Sequence, residues 1–170
     1  MTITDLSPEI RSRAKNIKLL LMDCDGVLTD GRLYFGPGGE EHKVFHARDG
    51  QGIVDWHNAG FRSGIISGRN SPIVEVRARN LGIEFVRQGR SEKIVAFNEI
   101  VAAAGVNADE IAYIGDDSPD IEVFSHVGLA VAVADAHVSV RKAAQYITEH
   151  KGGQGAVREL IDLMLAAKTY

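Results

Sequence analysis

Two acidic clusters follow short apolar stretches of this 170-residue chain. Asp23 and Asp25 come directly after the apolar residues 17–22, and Asp116 follows the apolar residues 111–114. Residues two apart in an extended backbone point the same way, so Asp23 and Asp25 share a face. Adjacent carboxylates repel unless a cation lies between them, and clustered oxygens suit Mg²⁺. Each cluster alone also fits carboxylates that cap a turn or a helix, but two of them favour a shared metal site.

A hydroxyl and two cationic groups complete a set that could act on a phosphate. Ser67, Gly68 and Arg69 follow the apolar residues 61–66. They offer a hydroxyl, backbone N–H groups and a guanidinium, which suit phosphate oxygens. Lys93 begins a helical stretch and could add a point charge, although an ordinary surface lysine is the alternative there.

These groups meet only if the chain brings several strand ends to one edge of a sheet. Short apolar stretches predict strands at residues 17–22, 61–66, 83–86, 111–114 and 128–133. Helical spacing predicts helices at residues 52–59, 72–81, 92–104, 119–126, 137–145 and 156–165, with glycines after several of them as C-caps. This alternation predicts an α/β fold, a doubly wound, Rossmann-like parallel sheet with helices on both faces. Loops at the carboxyl ends of its strands would line the ligand crevice.

Residues 31–46 interrupt the alternation with two extended segments around a glycine-rich turn, which predicts a β-hairpin flap. The spacing between the candidate motifs leaves no room for a cap domain. We therefore expect one capless domain over residues 1–170, with the hairpin as an insertion at about residues 31–46. Because something must cover the crevice, the apolar hairpin should pair with other copies of the chain. Its apolar residues are Leu33, Tyr34, Phe35, Val44 and Phe45.

Composition narrows the class of partner. The chain has 19 Lys and Arg against 23 Asp and Glu, a formal net charge of −4, which argues against nucleic acid. No apolar run approaches the roughly 20 residues of a membrane span, which argues against a membrane partner. The first residues lack the apolar core of a secretion signal, and the lone cysteine, Cys24, excludes an internal disulfide framework. We therefore expect a cytoplasmic protein.

The motifs occur in the order Asp-x-Asp, Ser, Lys and Asp-Asp, and this order resembles the haloacid dehalogenase superfamily of phosphotransferases. The resemblance implies that Asp23 is the nucleophile and Asp25 the general acid/base. It also implies that Ser67 holds the phosphoryl group and that Lys93 neutralises charge. The implied Mg²⁺ ligands are Asp23, Asp25 and Asp116, with Asp117 and Asp120 as candidates to ligate the ion or to hold water and lysine around it.

Longer runs carry a more specific resemblance. These runs are DGVLTDG from Asp25, FHARDGQGI from Phe45, YIGDDS from Tyr113, AVADAH from Ala132 and GGQGAVREL from Gly152. They resemble the family of 3-deoxy-D-manno-octulosonate 8-phosphate phosphatases. That family implies Mg²⁺-dependent hydrolysis of a phosphorylated sugar acid through an aspartyl-phosphate, in lipopolysaccharide precursor synthesis, by a homotetramer. The implied substrate contacts are Asp25, His46, Ala47, Arg48, Asp49, Gly50, Ser67, Gly68, Arg69, Arg77 and Lys93.

Several alternatives remain open at this stage. The substrate could instead be a nine-carbon keto-deoxy sugar acid 9-phosphate, or the chain could be a non-enzymatic phospho-acceptor domain of the receiver type. Arg48, Arg69 and Arg77 are candidates to bind the carboxylate of the sugar acid. The alternative for each is an ordinary surface arginine, and Arg69 is the stronger candidate because it lies two residues from Ser67. Asp49 could meet a sugar hydroxyl or cap a helix.

Overall fold

A computed structural model describes residues 7–169 of the chain. In chain order the strands are β1 (Leu19–Met22), β2 (Tyr34–Phe35), β3 (Glu41–His42), β4 (Arg62–Ile66), β5 (Phe85–Arg87), β6 (Ile111–Gly115), β7 (Leu129–Ala132) and β8 (Tyr146–Ile147). The helices are α1 (Pro8–Asn16), α2 (Ala47–Asn58), α3 (Pro72–Leu81), α4 (Lys93–Ala104), α5 (Ile121–Phe124), α6 (Val138–Ala143) and α7 (Ala156–Thr169). Two 3₁₀ turns, Ala108–Glu110 and Ser118–Asp120, precede β6 and α5.

Six of the strands form a parallel sheet in the order β5-β4-β1-β6-β7-β8. All four residues of β1 are buried, which requires cover on both faces of the sheet. The chain runs from β1 outward through β4 to β5 and then returns to β6 on the other side of β1. This reversal opens a crevice at the carboxyl ends of the central strands. The predicted doubly wound α/β fold is confirmed.

The helices pack in two layers. On one side α7 packs against α1 and α2, and on the other α4 packs against α5. Parallel strands are almost always joined by right-handed crossovers, which in this strand order put the helices of the two halves of the sheet on opposite faces. One stripe of α7 is buried, including Val157, Leu160, Ile161 and Met164, at the spacing expected of a helix that covers a sheet.

Several element boundaries differ from the prediction for identifiable reasons. Helix α2 begins at Ala47 rather than at residue 52, because two glycines that weaken helix propensity lie inside it. A side chain at either glycine would crowd an arginine: Gly50 lies against Arg77, and Gly52 against Arg158. The helix predicted at residues 119–126 is a 3₁₀ turn followed by the short α5. Helix α1 was not predicted, since Ala14 is its one buried residue and Ile10 is only partly buried.

The hairpin lies outside the main sheet as a separate two-stranded sheet. Its paired core is shorter than residues 31–46: Tyr34 pairs with His42 and Phe35 with Glu41, in antiparallel register. Its outward side chains remain exposed, with Phe35 at 59% and Val44 at 62%. None of the helices within residues 7–169 is both long and apolar enough to cross a membrane.

Candidate active site

The acidic clusters and Ser67 lie at the carboxyl ends of three adjacent strands. Asp23 extends the pairing of β1, since its N–H donates to the carbonyl of Ile114 on β6 at 3.0 Å. Asp116 directly follows β6, and Ser67 directly follows β4, on the opposite side of β1. Because parallel strands end at the same edge, the fold brings together groups that lie up to 93 positions apart in the chain.

Lys93 links the two acidic clusters. This lysine is the first residue of α4, is only 5% exposed, and places its Nζ 2.9 Å from Oδ1 of Asp23 and 2.6 Å from Oδ1 of Asp120. A buried ammonium is tolerated when carboxylates and hydrogen bonds replace its water. The structure therefore favours a functional lysine over the surface alternative.

Asp120 is fully buried and acts as the anchor of this arrangement. Its Oδ1 also accepts a hydrogen bond from the Tyr113 hydroxyl at 2.7 Å. Its Oδ2 accepts from the backbone N–H groups of Asp116 at 2.9 Å and Asp117 at 3.2 Å. With both oxygens engaged, Asp120 holds the lysine and the loop after β6, one of the two roles that the sequence left open for it. Asp117 is exposed, and its side chain accepts from the N–H of Ser118 at 2.7 Å.

The electrostatics of the site call for a cation. Burial raises the pKa of Asp23 from 3.8 to about 6 even though the Lys93 charge lowers it. Burial and the neighbouring Asp23 charge raise the pKa of Asp116 from 3.8 to about 8. Both shifts report carboxylates that have lost water without gaining enough positive charge.

The donor set fits Mg²⁺. One oxygen each of Asp23, Asp116 and Asp120 lies within 4.8 Å of the others, and Oδ1 of Asp116 is buried without a hydrogen-bond partner among residues 7–169. Since Asp120 is engaged by four donors, Asp23 and Asp116 offer the available oxygens. Gly26 makes room for them, because its φ of +96° suits glycine and a Cβ there would overlap the Asp116 carboxylate.

Asp25, also predicted as a metal ligand, does not join this carboxylate group. Its Oδ1 pairs with the ammonium of Lys43, and its Oδ2 lies 3.8 Å from Nε of Arg69. Glu41 completes a ring of alternating charges, with its Oε1 3.3 Å from Nζ of Lys43 and 2.9 Å from an amino group of Arg69. Sequence reasoning singled out neither Glu41 nor Lys43. Their spacing could have indicated that they face the site. Residues 41 and 43 share a face of the extended segment, whereas His42 and Val44 lie on the other face and are exposed.

The loop after β4 offers the phosphate-type donors that the sequence predicted. Ser67 is buried, and its Oγ accepts the N–H of Arg69 at 3.2 Å. The carbonyl of Ser67 accepts from Arg90, and its N–H donates to the carbonyl of Arg87. Gly68 and Arg69 are exposed toward solvent, and the Arg69 guanidinium lies beside Asp25.

Residues 46–50 form the start of α2, and they differ in what they contact. Asp49 is buried and accepts the N–H groups of Gly155 at 3.2 Å and Arg158 at 2.8 Å, so it caps α7. Nδ1 of His46 lies 3.9 Å from Asp49. Ala47 and Arg48 are exposed. The sequence left two roles open for Asp49, a contact to a sugar hydroxyl and a helix cap. The observed contacts are those of a cap, and the helix that Asp49 caps is α7 rather than α2, to which it belongs.

Arg77 reaches the same helix from α3. Its guanidinium carbon lies 5.5 Å from the centre of the Phe45 ring, a cation–π distance. Gly50 permits this position, because a Cβ at Gly50 would overlap the guanidinium. Arg77 therefore stands at the end of α2 nearest the flap, whereas Arg69 stands at the Asp25 side of the crevice.

A glycine loop at residues 152–155 covers the turn that follows β1. The N–H of Gly153 donates to the carbonyl of Val27 at 2.8 Å, and that of Gly152 to Oδ1 of Asp135 at 3.0 Å. A Cβ at Gly152 would overlap the backbone of Gly26. The two segments of the chain are therefore in direct backbone contact at this point. The loop thereby fixes the turn that carries Asp25 and Gly26.

Comparison with known proteins identifies close relatives. The profile of the haloacid dehalogenase-like hydrolases matches residues 76–161. The 3-deoxy-D-manno-octulosonate 8-phosphate phosphatase of Salmonella typhimurium is 45% identical over 96% of this chain and 87% of its own.

Solved structures agree with this match. The 3-deoxy-D-manno-octulosonate 8-phosphate phosphatase of Yersinia pestis is 46% identical, with a TM-score of 0.95 over 96% of this chain and 89% of its own. The same enzyme of Moraxella catarrhalis, solved with magnesium, phosphate and KDO, is 38% identical, with a TM-score of 0.94 over 96% of this chain and 94% of its own.

Proposed function

Because this chain belongs to the haloacid dehalogenase-like hydrolases, in the family of 3-deoxy-D-manno-octulosonate 8-phosphate phosphatases, we propose that it hydrolyses that compound to the free sugar acid and phosphate in lipopolysaccharide precursor synthesis. It is a phosphoric monoester hydrolase whose cofactor is Mg²⁺. The observation that carries the proposal is the pairing of near-full-length similarity with a site in which the buried Asp23 and Lys93 lie beside the partly buried Asp116.

The first half-reaction uses Asp23 as the nucleophile. One of its carboxylate oxygens attacks phosphorus in line, and the bond from phosphorus to the sugar oxygen breaks. The electron pair of that bond stays on the sugar oxygen, which takes a proton from Asp25. Lys93, 2.9 Å from Asp23, and the hydroxyl of Ser67 bind the transferring group.

The second half-reaction hydrolyses the aspartyl-phosphate and regenerates the free enzyme. The Asp25 carboxylate takes a proton from water, the water oxygen attacks phosphorus, and the bond to Asp23 breaks. Phosphate leaves, Asp23 is again a free carboxylate, and Asp25 again carries the proton that it donates in the first half-reaction. Asp23 and Asp116 would hold Mg²⁺, whereas the Asp25 side chain is engaged by Lys43 and Arg69. When bound, the ion supplies positive charge that offsets the repulsion between the Asp23 carboxylate and the phosphate dianion.

The sugar acid carries a carboxylate distant from its phosphate. Arg69, beside Asp25, and Arg77, beside the start of α2, are suited to bidentate pairing with that group, and Arg48 is a third candidate. Residues 46–50 would contact the sugar through the exposed start of α2 and through its backbone. Asp49 would act through the position of α2 and α7, in keeping with its buried contacts.

A kinetic comparison tests this substrate assignment. We expect kcat/KM for the eight-carbon 3-deoxy-2-keto sugar acid phosphate to exceed that for the nine-carbon 9-phosphate and for generic phosphates by at least about tenfold, the value of one well-made polar contact. A preference for the nine-carbon compound would transfer the assignment to it. Release of only one phosphate per chain would indicate a phospho-acceptor domain instead.

The assembly we propose is a homotetramer of single, capless domains in which neighbouring copies cover the crevice. The support is the exposed apolar hairpin, with Leu33 at 47%, Phe35 at 59% and Val44 at 62%. Light scattering tests it: Phe35→Glu should shift the protein to smaller species and lower kcat/KM. The matched control is Val76→Glu, at a valine of α3 that is 51% exposed. A monomeric wild type with full activity would contradict the proposal.

We also propose a cytoplasmic location. The single cysteine, Cys24, is buried and unpaired, in keeping with a reducing compartment. Burial raises the pKa of its thiol well above the ordinary value, and the flanking Asp25 and Asp23 charges add to the shift, so it is held as an inert thiol. Fractionation of cells that express the chain would check the location.

A further inference from the structure

Lys43 is a buried cation on an otherwise exposed hairpin. Its side chain is 2% exposed, whereas the adjacent Val44 is 62% exposed. Burying an ammonium is unfavourable unless carboxylates replace its water, and two do so here: Asp25 and Glu41. The hairpin therefore reaches the crevice through one specific charged side chain.

The partner of this lysine is the residue that must direct protons in the proposed reaction. Oδ1 of Asp25 pairs with Lys43, and Oδ2 faces Arg69 at 3.8 Å. Asp25 follows the strand β1, but both of these contacts come from other segments, the flap and the loop after β4. Its orientation thus depends on where the flap carries Lys43.

Glu41 fixes the lysine in turn. It stands two residues before Lys43 on the same face, 3.3 Å from the ammonium, and its Oε1 is also held by Arg69 at 2.9 Å. Two anions and two cations alternate around the ring, so the charges cancel within it. A lysine held on two sides is less free to rotate than one held by Asp25 alone.

We propose that Lys43 is a positioning residue for the phosphatase reaction: it holds the Asp25 carboxylate in the orientation from which it exchanges a proton with the leaving sugar oxygen, and Glu41 holds Lys43. This inference rests on the proposed function, and it assigns the hairpin a role within its own chain's site in addition to covering a neighbour. Loss of Lys43 leaves the nucleophile Asp23 and its partner Lys93 in place.

The leaving group distinguishes positioning of Asp25 from general damage. A sugar or glycerol oxygen needs a proton as its bond to phosphorus breaks, whereas an aryl oxide leaves without one. The experiment measures kcat and KM of the wild type, Lys43→Met and Lys43→Arg on the keto-deoxy sugar phosphate, glycerol phosphate and an aryl phosphate. Lys142→Met, at an exposed position on α6, removes the same charge elsewhere. Glu41→Gln tests the support of the lysine.

We expect Lys43→Met to lower kcat/KM at least about tenfold for both alkyl phosphates and less than about threefold for the aryl phosphate. Lys43→Arg should recover most of the loss, Glu41→Gln should show a milder form of the same pattern, and Lys142→Met should match the wild type. Equal losses of kcat/KM on alkyl and aryl phosphates would overturn the proposal, since they would make Lys43 a structural anchor. A higher KM at unchanged kcat would overturn it too, since Lys43 would then bind substrate.

The two proposals fail in different ways. If the wild type hydrolyses glycerol and aryl phosphates but not the keto-deoxy sugar phosphate, the proposed substrate is wrong, and the ratio of glycerol to aryl rates still supports or refutes the role of Lys43. Should Lys43→Met fail to fold, the same ratio in Lys43→Arg and Glu41→Gln decides: a ratio equal to that of the wild type in both would refute the role.

Discussion

Nζ of Lys93 lies 2.6 Å from Oδ1 of Asp120, a carboxylate that the proposed reaction leaves unchanged. The same ammonium lies slightly farther, at 2.9 Å, from the nucleophile Asp23. Asp120 therefore carries the task of holding the cation, and Asp23 keeps an oxygen for attack on phosphorus. This division explains why Asp120, a fully buried carboxylate, holds the lysine rather than the metal ion, one of the two roles considered for it from the sequence.

Replacing Asp120 with Asn tests that division. The amide retains one acceptor, but its NH₂ group must face either Lys93 or the N–H groups of Asp116 and Asp117. Breaking a buried charge pair costs about 3–5 kcal/mol. We expect a fall in thermal stability and a loss of kcat of at least about tenfold. Asp109→Asn, at an exposed residue, is the control. A variant with normal activity and stability would contradict the anchoring role.

Asp25→Asn should slow both half-reactions and leave the nucleophile intact. Without a group that exchanges protons, an alkyl phosphate reacts roughly 10²–10⁴-fold more slowly. With an activated phosphate donor, aspartyl-phosphate should accumulate, because water is no longer deprotonated. Acid-quench trapping of labelled protein measures this species. Asp23→Asn is the control, since it should trap no label and abolish turnover; normal turnover by that control would contradict the mechanism.

The metal-free protein should become less stable as pH rises. The folded state raises the pKa of Asp23 to about 6 and of Asp116 to about 8, against 3.8 for an ordinary Asp. Between about pH 4 and pH 8 these two carboxyl groups thus bind more protons in the folded chain than in the unfolded chain, so their contribution to the free energy of unfolding falls as pH increases.

Thermal melts with and without Mg²⁺ across this range check the expectation. Because Mg²⁺ competes with protons for the same oxygens, it should raise Tm more at about pH 8 than at about pH 5. Asp116→Asn should flatten the pH dependence of the metal-free protein and reduce the Mg²⁺ effect. A metal-free Tm that rises over this interval would show that these two carboxylates do not govern it.

Gly26→Ala should abolish Mg²⁺ binding through the displacement of Asp116. At a φ of +96° an alanine is strained by about 1–2 kcal/mol, and its Cβ would also overlap the Asp116 carboxylate. Gly39→Ala separates the two effects, since Gly39 has a similar φ of +84° but nothing within 4 Å of the added Cβ. We expect a Tm loss in both variants and a loss of Mg²⁺-dependent stabilisation in Gly26→Ala alone, measured by melts with titrated Mg²⁺.

The elements with an apolar stripe or a capping signal were predictable from the sequence. Helix α3 (Pro72–Leu81) has the predicted bounds, because proline starts it and Gly82, at a φ of +69°, ends it. Strand β6 begins as predicted at Ile111. Helix α1 is an exception: Ser7 caps it and Pro8 begins it, but with Ala14 as its one buried residue it has too weak an apolar pattern to predict. Local patterns therefore located the elements that carry the site.

Contacts between distant segments were harder to predict than the elements themselves. The sequence proposed Asp23, Asp25, Ser67, Lys93 and Asp116 because each lies at a strand end or a helix start. Lys43 and Glu41 lie on the hairpin. No local sequence pattern indicates which strand end a hairpin packs against, so their contacts with Asp25 and Arg69 could not be predicted. The cap that Asp49 forms on α7 links residues more than 100 positions apart, so it depends on tertiary packing alone.

The position of β1 in the sheet bears on how the chain acquires its structure during synthesis. This fully apolar strand, which carries the nucleophile, pairs with β4 on one side and with β6 on the other. About 90 residues separate Met22 from Ile111, so a ribosome needs roughly 5–20 seconds to deliver the second partner. Throughout that interval one edge of β1 has no strand to pair with. We therefore expect the nascent chain to be most prone to aggregation before β6 emerges, and least prone once that strand closes the nucleus of the sheet.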